Sequence, residues 1–77
     1  MDTVYVALLN EGIDVWRPVE AMKIDNMTFQ LIGPVGGKRY NPEDEDWAFT
    51  PGTVVICEYR TFQDGVRGLV AIAKVSA

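Results

Sequence analysis

Apolar and polar positions alternate along most of this chain with a period of two, and glycine, proline, asparagine or aspartate breaks the alternation at short intervals. That pattern predicts short β-strands joined by tight turns, with no helical period of useful length. The first run, residues 3–9, is apolar at both parities, so a strand there should be central or covered on both faces. Asn10-Glu11-Gly12 ends it, and Gly12 is the natural place for a positive φ. The second run, residues 15–24, holds Trp16, Arg17 and Pro18 in a row. Proline has no N–H for a ladder, which places Pro18 at an edge or a bulge. The parity also slips there: Trp16 keeps step with Glu20, while Val19 and Ala21 keep step with Arg17. A bulge near Pro18 would turn Trp16 and Val19 both inward, leave Arg17 outside, and bend the strand as a small barrel requires.

Asp25-Asn26 is a tight-hairpin signal, and residues 27–32 form the return strand, with Phe29 and Leu31 facing inward. From Gly33 to Pro42 regular structure is interrupted, and the acidic block Glu43-Asp44-Glu45-Asp46 follows. Together these make one long loop, of a length that in compact domains goes with function or mobility. Residues 47–49 read as a short strand with Trp47 and Phe49 on one face. Residues 50–53, Thr-Pro-Gly-Thr, form a type I or II turn. Residues 53–62 alternate again, with Val55, Cys57 and Tyr59 on one side and Ile56, Glu58 and Arg60 on the other. Gln63-Asp64-Gly65 is a second hairpin turn, and residues 66–75 form a last strand that is apolar on both faces. Five or six short strands in a single domain of 77 residues point to a small, mostly antiparallel SH3-like barrel spanning residues 1–77.

Composition narrows the chemistry. Hydrophobic residues make up 48% of the chain, which argues against disorder. No stretch approaches the roughly 18 consecutive apolar residues of a membrane helix. The N-terminus has no basic segment followed by an apolar block, so the expected location is the cytoplasm. Eleven acids against seven bases give a net charge of −4, which disfavours broad contact with a phosphate backbone. There is no histidine, so neither a Ser-His-Asp nor a Cys-His arrangement can form. The one cysteine, Cys57, allows no internal disulfide and no thiolate zinc site, and it reads as a small buried hydrophobe.

Two local motifs resemble ligand sites and fail on spacing. Gly33-Pro34-Val35-Gly36-Gly37-Lys38 lacks the residues and the following helix of a phosphate loop, since Arg39 stands where Ser or Thr belongs. The four consecutive acids lack the spacing of a calcium loop and cannot all turn toward one ion, so a solvated loop is expected. Paired carboxylates such as Glu20 and Asp25 carry no specific catalytic spacing. No catalytic, metal or cofactor residue is assigned, and the protein is expected not to be an enzyme.

Leu8-Leu9-Asn10-Glu11-Gly12, Val15-Trp16-Arg17-Pro18-Val19 and Trp47-x-Phe49-x-Pro51-Gly52, with Val-x-Val near the start, resemble a family of small bacterial proteins over most of the chain. The family pattern has threonine after the Glu-Gly pair where this chain has Ile13. The resemblance supplies no catalytic or binding residue. A looser similarity to Tudor-type and KOW-type barrels rests on the tryptophan-bearing second strand and the hairpin after it. It implies a ligand seated in an aromatic cleft, which Tyr40 and Trp47 would form if the loop folded over the barrel mouth.

The expected function is therefore that of a protein-interaction module. The candidate surface is Arg17, Tyr40, Glu43, Asp44, Glu45, Asp46 and Trp47, at and beside the 33–47 loop. Trp16 is core or half-buried with Arg17 outside, or else a surface aromatic that anchors an interface beside the guanidinium. Self-association is a further expectation, from the two-faced apolar character of the first and last strands. The alternative is RNA or DNA binding through a local basic stripe of Arg60 and Arg67, close across the last hairpin, with Lys38 and Arg39.

Overall fold

A computed structural model describes residues 1–12 and 15–75. Six strands form: β1 (Asp2–Leu9), β2 (Trp16–Asp25), β3 (Thr28–Pro34), β4 (Asp46–Trp47), β5 (Val54–Thr61) and β6 (Arg67–Lys74). The order β2-β3-β5-β6-β1-β4, with β2 also paired to β1, closes β1, β2, β3, β5 and β6 into a barrel and leaves β4 as an added strand. Every pairing is antiparallel except β1 with β6, where Val4 stands beside Leu69 and Tyr5 beside Val70. Closure leaves the five barrel strands without a free edge. Among the described residues no helix is long and apolar enough to cross a membrane.

The alternation places the core. Val4, Val6 and Leu8 of β1, Val19 and Ala21 of β2, Phe29 and Leu31 of β3, and Val55 and Cys57 of β5 are buried in one cluster, joined by Ala71 and Trp47. Among the described residues no charged or polar side chain is buried with them. The turns follow their residues. Gly12 has φ +92°. Gly52 has φ +91°, and Thr53 N–H donates to the Thr50 carbonyl at 3.1 Å, the geometry of a type II turn. At the β5–β6 hairpin Gly65 takes φ +84°, and Asp64 Oδ1 accepts from Val66 N–H at 3.0 Å. The β2–β3 turn differs by one position: Asn26 and Met27 form it, and β3 starts at Thr28. The segment containing Ile13 lies outside the described residues.

The β1–β2 ladder carries no bulge at Pro18, and the irregularity near it falls two residues on, between Glu20 and Ala21 in the pairing with β3. The β1–β2 register runs unbroken from Asp2 opposite Ala21 to Ala7 opposite Trp16. Pro18 escapes the ladder differently, by standing one residue beyond the β3 pairing, which begins at Val19. The sheet bends instead at register shifts between Glu20 and Ala21, between Lys23 and Asp25, and between Ile56 and Cys57. With no slip at Pro18, Arg17 keeps the inward parity of Val19 and Ala21, and Trp16 faces outward.

Trp16 is therefore half-buried on the outer wall, not in the core. Phe62, just past the end of β5, covers it. The Phe62 ring meets Tyr5 edge-on at 4.9 Å and Trp16 at 6.0 Å, and the Arg60 guanidinium lies over the indole at 5.2 Å. Gly68 makes room for this layer, because a Cβ there would sit 2.9 Å from Tyr5 Cε1 and 3.2 Å from Phe62 Cε2. Tyr5, on the outer side of β1, thus finds its cover within the chain.

Candidate functional site

Eleven residues, 35–45, separate β3 from β4. Gly36 and Gly37 lead the chain out of β3 with φ +95° and +76°, values that side chains resist. Asn41 then organises the acidic block. Its carbonyl accepts from Asp44 N–H at 3.1 Å and Glu45 N–H at 3.2 Å, and its Oδ1 accepts from Glu43 N–H at 3.0 Å. Asn41 Nδ2 donates to Asp44 Oδ2 at 3.3 Å. Asparagine closing a turn through its side chain is a common device, and here it folds Pro42, Glu43 and Asp44 into a turn, with Glu43, Asp44 and Asp46 exposed to solvent as expected.

That turn aims the acids in different directions. Asp46 Oδ2 accepts from Asn10 Nδ2 at 3.4 Å. Glu45 points to the barrel mouth, where three donors converge on it. Arg17 Nε donates to Oε1 at 3.0 Å, a second guanidinium nitrogen bonds Oε2, and Trp47 Nε1 donates to Oε1 at 3.1 Å. The Arg17 hydrogen bonds, helped by that from Trp47, hold the Glu45 carboxyl below its usual range against a smaller opposing effect of burial. Arg17 reaches this place because its inward parity puts it at the end of the barrel wall.

Trp47 plugs the same mouth. It is 2% exposed and pairs with Leu8 across β1–β4. Tyr40 lies against it, with ring centroids 4.4 Å apart and tilted by 44°, and Trp47 N–H reaches the Tyr40 hydroxyl at 3.4 Å. The two rings cover each other, so no ligand slot lies between them. Of the seven candidate residues, Arg17, Tyr40, Asp44, Glu45 and Trp47 line one open cleft of about 570 Å³, also bordered by Lys38 and Arg39. Glu43 and Asp46 lie outside that lining.

The candidate basic stripe is divided. Arg60 stands opposite Gly68 on the outer wall and covers Trp16. Arg67 has the other parity, and its guanidinium lies 4.5 Å over the Tyr59 ring. Lys38 and Arg39 sit on the long loop. Sequence reasoning missed the outer aromatic layer. Its signal was Gly68, a residue without a side chain inside a β-branched and apolar run.

Cys57 is buried between β3 and β6, and burial pushes its thiol up to about 11, which keeps it protonated at neutral pH. Among the described residues no group of three Cys, Asp or Glu side chains is placed to hold a metal ion. The mouth offers instead a fixed hydrogen-bonded base and an exposed loop rim. Family models, curated proteins and solved structures yield no match to this chain, so the candidate site stands on its geometry alone.

Proposed function

We propose that this barrel is a non-enzymatic protein-interaction module of the cytoplasm that engages its partner through the 33–47 loop. One observation carries the reading. The base of the loop is tied to the barrel by Arg17, Glu45, Trp47 and Tyr40, while Val35, Lys38, Arg39 and Glu43 project from it with no side-chain partner among the described residues. A loop held at its base that presents free side chains is suited to binding, because little further ordering is needed on contact. A single buried, protonated thiol also suits a reducing compartment.

Nucleic-acid binding has less support, because the cations that would form one stripe are split between the outer wall, the Tyr59 ring and the loop. The test is photo-crosslinking in cells of the source organism, with a photoreactive residue in place of Val35 and, as control, of Lys74 on β6. Protein adducts specific to the Val35 position are expected. Adducts that are equal at both positions, or that consist of nucleic acid, overturn the reading.

A further inference from the structure

The loop touches two clefts, and they differ in charge. The one at the barrel mouth contains Asp44 and Glu45 beside its cations. The second, of about 510 Å³, lies on the other side of residues 38–40 and is lined by Ile32, Lys38, Arg39, Tyr40, Thr50 and Pro51 with two glycines, Gly33 and Gly37, and no carboxylate among its walls. Lys38 and Arg39 are exposed and form no hydrogen bond or ion pair with the described residues. The nearby acids behave differently: Asp44, Glu45 and Asp46 each accept a hydrogen bond from within the chain. The chain thus satisfies three loop acids internally and leaves two adjacent cations open beside Ile32, which is 43% exposed.

We infer that this second cleft takes a short acidic peptide segment of the partner protein, with carboxylates on Lys38 and Arg39 and an aliphatic side chain on Ile32 and Pro51. The inference rests on the protein-interaction reading above and names the partner's chemistry. Charge complementarity argues for it, since two unpaired cations match one or two carboxylates. A nucleic acid fits less well, because single strands stack on successive aromatic side chains and this cleft offers Tyr40 alone among the described residues.

Fluorescence anisotropy tests it with three labelled probes: a hexapeptide alternating glutamate and leucine, the same peptide with lysine for glutamate, and a short thymidine oligonucleotide. The glutamate peptide is expected to bind, more weakly as salt rises, and the lysine peptide not to bind. The Lys38→Ala/Arg39→Ala double variant should weaken glutamate-peptide binding about tenfold, as expected for the loss of two exposed charge contacts. Ile32→Ser should weaken it separately, with circular dichroism reporting that both variants keep the fold. Binding that is absent, equal in the double variant, or stronger for the oligonucleotide overturns the inference. If the glutamate peptide fails while Val35-specific protein adducts persist, the chemistry assigned here is wrong and the interaction reading stands. If those adducts fail as well, both fall.

Discussion

Glu45 shows how one residue in a charged run can be turned to structural use. Read along the chain it is the third of four acids and belongs to a solvated block. Asn41 folds that block so that only Glu45 meets Arg17 and the Trp47 indole. Which of four like side chains turns inward depends on turn dihedrals, and alternation does not encode them. Tyr40 and Trp47 beside the block were expected to form an aromatic cleft, and their rings pack against each other instead. The arrangement has a pH signature. The Glu45 carboxyl has a lower pKa in the folded protein than in the open chain, so the Arg17 pair stabilises the fold above the ordinary carboxyl range and ceases to do so as pH falls through the folded value. Arg17 is 44% exposed, so solvent screening limits the effect. Arg17→Ala should lower stability by about 0.5–1 kcal/mol at neutral pH and low salt. Urea unfolding should show that deficit shrinking with acid and with added salt. A deficit that is the same at every pH would mean that the aliphatic stem of Arg17, and not its charge, supports the mouth.

At the scale of elements, the strands with one clean parity were read correctly and the strand with mixed parity was not. In β3 the inward set is Phe29 and Leu31, as alternation says. In β2 the same logic demanded a bulge, because Trp16 was assumed to need the core. A small barrel instead puts aliphatic side chains inside, and the indole finds cover on the outer wall under Phe62. That cover comes from a residue 46 positions away in sequence, 62 less 16, and no local pattern specifies such a meeting. The layer depends on β6 approaching Tyr5 closely at Gly68. In an ordinary exposed strand, Gly→Ala stabilises by limiting the unfolded chain. Here Gly68→Ala should destabilise, by about 1–3 kcal/mol, as over-packing does. Combining it with Tyr5→Ala should remove much of that penalty, and a double-mutant cycle by urea unfolding would measure the coupling. Stabilisation by Gly68→Ala alone would mean that the Tyr5 ring yields and that the layer is loosely packed.

Across the whole molecule, the barrel itself was legible beforehand, and the strand pair that shuts it was not. Strand number, turn positions and the all-β class were legible from turn residues and alternation. The join between β1 and β6 was not, because Val4 beside Leu69 is a parallel contact between the two ends of the chain and neither strand carries a local mark of its partner. The apolar character of both faces of each strand said only that cover was needed. Closure does predict how the barrel opens. Cys57 lies on β5 with β3 on one side and β6 on the other, opposite Ala71 and with its N–H donating to the Met27 carbonyl at 2.8 Å. It is 2% exposed, and burial holds the thiol protonated. Reaching its sulfur requires parting β5 from a neighbour, and in a closed barrel that breaks the ring shared by all five strands. Labelling of native protein with a thiol reagent should therefore proceed only through global unfolding. Its rate should rise with urea along the same slope that equilibrium unfolding shows. A shallower slope would expose a local opening of the β5–β6 pair, and the barrel would then be better described as an open sheet whose ends merely touch.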